Sequence, residues 1–254
     1  MKYFVEKGSV VREIWGRSDT ILFIFAGASA EFALNKAVDW LYFTGKLPSD
    51  PLGRLFSTVS YAMEIVFSSQ ADANAAIDRI RNIHQAVERD RGSIIPDWAY
   101  RDVLFMLIYY SKSAFELLER KMDISEKEGL YQVFYRVGDR MGLSELPDNY
   151  LDWLPIREAH MRKDLEKSNY TRDLFKQYHK HLGMFRFKML IEAQKLVVPS
   201  RIKSLLGFSP VHWLRPMVPV YKLSKNLKLD GLVKDLLLPS EYKTQIQALD
   251  IQSS

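Results

Sequence analysis

The stretch SQADANAAIDRIRNIHQAVERDRG, residues Ser69 to Gly92, is the part of the chain on which the fold turns. Ser69 is followed three residues later by Asp72, an acidic variant of the capping box that opens a helix. From about Gln70 to Arg89, the residues Ala73, Ile77, Ile80, His84 and Val87 recur every three or four positions and share one face. Arg91-Gly92 closes the segment, glycine being the residue that leaves a helix through left-handed backbone. The pattern predicts an amphipathic helix that buries one side. Strand-like alternation is nowhere sustained in the chain, so the expected fold class is all-α.

Working outward, the same punctuation recurs. Upstream, the loop from Thr44 to Gly53 contains Asp50-Pro51, an N-cap followed by proline at the first helical position. Leu52, Leu55, Phe56, Val59, Met63 and Val66 then form an apolar stripe. Further upstream, Ile21 to Leu34 is strongly apolar but is interrupted by Glu31. It falls short of the roughly 20 residues of a spanning helix, which predicts a buried one. Downstream, Pro96-Asp97 opens a helix with the stripe Val103, Leu107, Tyr110, Ala114 and Leu117. Ser125 and Glu128 read as a capping box for a helix through Met141. Gly142 to Asn149 is a loop, and one long polar-faced helix is expected from about Trp153 to Leu196. After Pro199 the pattern degrades among Pro210, Pro216 and Pro219. The expected organisation is one helical domain over residues 1–198, with 199–254 as a C-terminal extension packed on it.

Composition narrows the chemistry. The 254 residues contain no cysteine, which excludes disulfides, thiolate catalysis, zinc–cysteine sites, iron–sulfur clusters and thiolate-ligated haem. An aromatic fraction of 13% suits a core or pocket built around something large and flat. Met1 to Ser18 mixes charged with apolar residues and has no apolar signal region, so a cytoplasmic location is expected. The net charge of +5 is uneven: Arg172 to Lys228 holds 12 Lys and Arg against Asp173 and Glu192. An ordinary solvated basic face is the plainer explanation of that stretch, and no nucleic-acid partner is expected. The cluster Leu205, Leu206, Phe208, Trp213 and Leu214, flanked by Lys203 and Arg215, fits either a flap over a pocket or a peripheral contact with a membrane surface.

Without cysteine, soft-ligand chemistry falls to the five histidines. His160, His179, His181 and His212 lie in charged or proline-rich segments, and no two histidines stand four apart as in HExxH. A GxSxG elbow, a P-loop and a GxGxxG fingerprint are absent, against hydrolase, nucleotide-binding and Rossmann readings. His84 alone falls within an apolar stripe. A histidine so placed is most often a hydrogen-bonded core residue. Here Arg81 and Glu88 flank it on the same edge, and an imidazole entering an apolar cavity beside a cation is what a haem site requires. Arg54 and Thr58, four apart on the helix after Asp50-Pro51, form a second constellation; alone they read as an exposed arginine and a neutral threonine.

Three ordered elements resemble the latex-clearing protein and MpaB-type oxygenase family. They are Asp50-Pro51-Leu52-Gly53-Arg54-Leu55 followed by Thr58, then Arg81-Asn82-Ile83-His84 followed by Val87, then Tyr100-x-Asp102. The resemblance spans roughly residues 12 to 155. It implies a globin-like all-α arrangement enclosing haem b, with His84 as the iron ligand, Arg81 beside it, and Arg54 and Thr58 near the haem. It also implies cleavage of carbon–carbon double bonds in isoprenoid chains by dioxygen. Leu34-Asn35 stands where many members carry His-Pro. At the distal glutamate of the rubber enzymes stands Val38, with Asp39 one position on, which makes Asp39 the candidate distal acid or base. Ser57 stands where one rubber enzyme has a lysine. The expected function is therefore a haem b-dependent oxygenase acting with dioxygen on an apolar, unsaturated or isoprenoid-like substrate. The alternatives are a non-catalytic haem sensor and a cofactor-free helical interaction protein.

Overall fold

The segment Ser18–Phe32 is too apolar to face water, and it forms one of two helices at the centre of the molecule. The computed structural model describes residues 2–45 and 49–226, without the side chains of residues 52, 54–56 and 224–226. Among these residues the helices are α1 (Val10–Trp15), α2 (Ser18–Phe32), α3 (Val38–Phe43), α4 (Pro51–Phe67), α5 (Gln70–Arg91), α6 (Asp97–Leu118), α7 (Ile124–Met141), α8 (Tyr150–Asp164), α9 (Asn169–Val197), α10 (Ser200–Leu206) and α11 (Met217–Asn226). The only extended pairings among them are the isolated bridges Tyr3 to Ser69 and Asn35 to Leu165. The protein is all-α.

The central pair is α2 against α6. Gly27 makes their approach close: a Cβ there would stand 2.2 Å from Cδ1 of Tyr110. The tyrosine ring therefore lies directly on the α2 backbone, where no larger residue leaves it room. Around this pair α9 covers α2, α4 packs on α5, and α7 bridges α1, α5 and α6. Trp15, Ile24, Phe105, Ile108, Phe115, Tyr131 and Trp153 are fully buried between them. Each such side chain contributes roughly 1.5–3 kcal/mol on leaving water.

The punctuation of the two helices that matter most is as the sequence predicts. Asp50 caps α4 by accepting from the Gly53 N–H at 2.8 Å. Ser69 caps α5 by accepting from the Asp72 N–H at 3.2 Å, and Gly92 ends it with φ 66°.

Three local expectations are corrected. The box that opens α7 is Asp123 with Glu126, two residues ahead of Ser125 and Glu128. Both pairs have suitable spacing, and aspartate is at least as good a cap as serine. On α6 only Val103 of the expected stripe is exposed: Tyr110 and Ala114 are fully buried, Leu107 and Leu117 pack on the core, and Leu104, Phe105, Ile108, Ser111, Phe115 and Leu118 are buried as well. That helix lies between α2 and α7, so more than one face is buried and no single stripe describes it. The long helix from Trp153 to Leu196 is two helices. Between them the Glu166 N–H donates to the Leu34 carbonyl at 2.8 Å, while the Lys36 N–H donates to the Asp164 carbonyl at 3.0 Å. Long-range pairing with residues 34–36 thus takes up backbone groups that a continuous helix would have satisfied. Ser168 then caps α9, which itself kinks at Gly183 with φ 70° and ψ 170°, a conformation closed to other residues.

Beyond Pro199, Ile202 is fully buried, and Leu205, Leu206 and Phe208 pack on the main core. Helix α11 is tied down by Tyr221, whose hydroxyl donates to Asp19 at 2.9 Å, and by Lys222, which donates to the Glu119 carbonyl at 3.1 Å. Trp213, Met217, Val220 and Leu223 remain exposed. Among the described residues no helix is long and apolar enough to cross a membrane.

Candidate functional site

Two polar centres stand out. The first surrounds His84. It follows Ile77 and Ile80 along the inner face of α5, where Ile77 is fully buried and Ile80 packs on the core. His84 itself is half-buried, with its Nδ1 atom shielded from solvent. The Tyr100 ring meets the imidazole edge-on, with centroids 5.1 Å apart. Tyr100 is held in turn by Glu88, one turn beyond His84, whose Oε1 accepts from the Tyr100 hydroxyl at 3.2 Å and from the Ile95 N–H at 3.0 Å. Burial first, and then the charge of Glu88, push the Tyr100 phenol well above its ordinary pKa, so it stays a proton donor.

The other sequence-predicted residues lie on α3, α4 and α5. Thr58 is half-buried on α4, the helix packed against α5. Arg54 precedes it by one turn, but its side chain lies outside the described residues. Arg81 is exposed. Asp39, on α3, accepts from Arg91 Nη2 at 2.8 Å, and the Arg91 guanidinium lies 3.9 Å over the Trp40 ring. Asp39 therefore joins the C-terminal end of α5, while His84 sits two turns earlier.

The second centre lies between α6 and α8. His160 and Asp164 stand four apart on α8 and face Asp102 of α6. His160 Nδ1 is 2.5 Å from Asp102 Oδ1 and 3.6 Å from Asp164 Oδ2. Asn35 orients the group: its Nδ2 donates to Asp102 Oδ2 at 2.6 Å, while its Oδ1 accepts from the Ala37 N–H at 2.8 Å. Burial, then the charge of Asp102, raise the Asp164 pKa above its ordinary value. One imidazole and two carboxylates within 4.8 Å of one another are a donor set that can hold a metal ion.

One turn earlier on α8, Arg157 donates to Glu31 of α2, whose Oε2 also accepts from the Tyr110 hydroxyl at 2.8 Å. Arg157, Glu31 and Tyr110 are all buried. Burial pulls the Arg157 pKa down, but the charge of Glu31 and its hydrogen bond outweigh this, and the guanidinium is held above its ordinary value. Burial first, then the Glu31 charge, raise Tyr110 far above the usual phenol range.

His160 belongs to no histidine pair, so pair spacing does not reveal it in the sequence. The available signal was His160-x-x-x-Asp164, a donor pair on one helix face, together with Asp102 of the Tyr100-x-Asp102 element.

A family model described as ER-bound oxygenase mpaB/B'/rubber oxygenase, catalytic domain, matches residues 14–225. The chain belongs to this oxygenase family. The match runs beyond the motif resemblance, through α8, α9, α10 and nearly all of α11, and so past residue 198. It includes both polar centres. Membership in the mpaB/rubber oxygenase family points to oxidoreductase chemistry with dioxygen and an organic substrate. No curated protein and no solved structure matches the chain.

Proposed function

We propose that the chain is a haem b-dependent oxygenase that uses dioxygen on an apolar, unsaturated, isoprenoid-like substrate. The observation that carries this reading is His84: an imidazole on the inner edge of α5, half-buried against Tyr100, in a cysteine-free chain of an oxygenase family. The donor set fits a haem. Neutral imidazole is a common axial ligand, Ile80 and Val87 border it with apolar surface, and Thr58 offers a hydroxyl from the facing helix.

In this reading His84 holds the iron through a ring nitrogen, and Glu88 keeps Tyr100 packed against the imidazole. When bound there, haem supplies the activation of dioxygen. Thr58 and Arg54 would offer a hydrogen bond and a positive charge where the reacting oxygen becomes partly anionic. Asp39, whose Oδ2 is engaged by Arg91, would take a proton at Oδ1. The exposed Trp213, Met217, Val220 and Leu223, beside Arg215 and Lys222, support uptake of an apolar substrate from a lipid surface.

The test is an absorption spectrum of protein produced with added haem, followed by turnover of an isoprenoid alkene under oxygen. The wild type should show a Soret band and consume the alkene, and His84→Ala should lose most of the haem. A colourless wild-type protein, or a His84→Ala variant with full haem and an unchanged Soret band, overturns the reading.

A further inference from the structure

The cluster between α6 and α8 has a mismatch of donors and acceptors. His160 Nδ1 is the one imidazole atom facing both aspartates, and it carries at most one proton. At 2.5 Å that proton belongs to the contact with Asp102 Oδ1. Asp164 Oδ2 is then buried with no hydrogen-bond donor. Among the described residues, no lysine or arginine forms an ion pair with Asp164. Lys36 Nζ is spent on the Lys163 carbonyl at 2.8 Å, and Arg157 is spent on Glu31. Asp164 is only 4% exposed, and a carboxylate so buried and so poorly partnered is costly.

We propose that Asp102, His160 and Asp164 bind one divalent first-row transition cation, at a site separate from His84. A dication facing two carboxylates and a neutral imidazole neutralises the group and gives Asp164 Oδ2 its missing partner. Borderline-hard nitrogen and oxygen donors suit zinc, manganese or ferrous iron. Bonds of about 2.1 Å in tetrahedral geometry set donors about 3.4 Å apart. The His160–Asp164 pair already spans 3.6 Å, and the His160–Asp102 pair opens by about 1 Å when the shared proton gives way to a cation.

The surroundings are those of a prepared site. Asn35 holds Asp102 Oδ2 and leaves Oδ1 for the ion, the kind of outer support that orients ligating carboxylates. The Phe105 ring lies edge-on to His160 at 5.3 Å and limits its rotation. The Asp164 backbone is pinned by the Lys36 N–H. His160 is partly exposed and gives the ion a way in. The bound ion would join α6 to α8 and, through Asn35, to the segment after α2.

Full-length protein stripped with a chelator is titrated with Zn²⁺ against a chromophoric competitor, with circular dichroism on every variant. One equivalent should bind, and excess zinc should raise the wild-type melting temperature by about 5 °C or more. His160→Gln and Asp164→Asn should each weaken binding by about a hundredfold and abolish the thermal shift. His84→Ala should bind zinc as the wild type does, which keeps this result independent of haem. Should either cluster variant fail to fold, the other variant and the wild-type thermal shift still decide. Absence of saturable binding, or equal affinity in the cluster variants, makes the trio a hydrogen-bonded strut and overturns the proposal.

Discussion

Replacing Glu31 by leucine isolates the energetics of the joint between α2, α6 and α8. The Glu31 side chain is fully buried and that of Arg157 is 4% exposed, so neither charge can turn to water when its partner goes. Arg157 Nε already lacks a hydrogen bond, and among the described residues no other carboxylate forms an ion pair with this guanidinium. Removing one member of a buried ion pair costs about 3–5 kcal/mol. The Tyr110 hydroxyl, 2.8 Å from Glu31 Oε2, also loses its acceptor, which costs roughly 1–3 kcal/mol more. Relaxation around the new apolar side chain offsets part of this, and about 4 kcal/mol is the expected net loss. In a chain of this size that lowers the melting temperature by roughly 8–16 °C. Far-UV circular dichroism against temperature, with guanidinium titration as a second measure, reads the loss. The double variant Glu31→Leu/Arg157→Met should recover most of it, because an apolar pair of similar volume removes both stranded charges. A single-variant loss under about 1 kcal/mol, or a double variant that merely sums the two single losses, would show that the pair is not energetically coupled.

Other outcomes can be checked separately. Arg54→Ala should keep substantial haem yet slow turnover by about a hundredfold, whereas Thr58→Val should lose only the roughly 1 kcal/mol of a neutral hydrogen bond. Unchanged haem content and turnover in both variants would leave α4 a purely structural helix. Glu126 is held at about 2 by its hydrogen bond from Arg120 and by the Asp123 N–H, below the ordinary carboxylate value of about 4.3. Its folded pKa is depressed, so its stabilisation is whole above about pH 5 and is lost as pH falls toward 2. Glu126→Gln should flatten the fall in melting temperature between pH 6 and pH 3, and an identical fall in both proteins would contradict this. If Trp213, Met217, Val220 and Leu223 meet a bilayer beside Arg215, anionic vesicles should sediment the protein at low salt and release it as salt rises. No sedimentation at low salt would exclude that contact.

Much of the fold was legible because local rules decided it. Asp50-Pro51, Ser69 and Gly92 start and stop α4 and α5 by satisfying backbone groups within a few residues of themselves, so their reading needed no partner. The stripe Ala73, Ile77, Ile80 and His84 likewise put one imidazole on the inner face of its helix before any neighbour was known. The all-α class and the family motifs were carried by the same local signals.

What tertiary structure alone decided were contacts between distant segments. The break after Asp164 carries no glycine or proline. It exists because residues 34–36 hydrogen-bond to the backbone on either side of Leu165, 130 positions away in sequence. The inward face of α6 could not be phased from its own pattern, since two layers of neighbours claim it and only Val103 and the outer positions are left to water. His160 looked like one more residue of a charged helix. Packing α8 against α6 turned it toward Asp102 and left Asp164 beside it without a donor. A chain announces what each residue wants within a turn or two of helix; which buried charges must meet is settled only when helices far apart in sequence are pressed together.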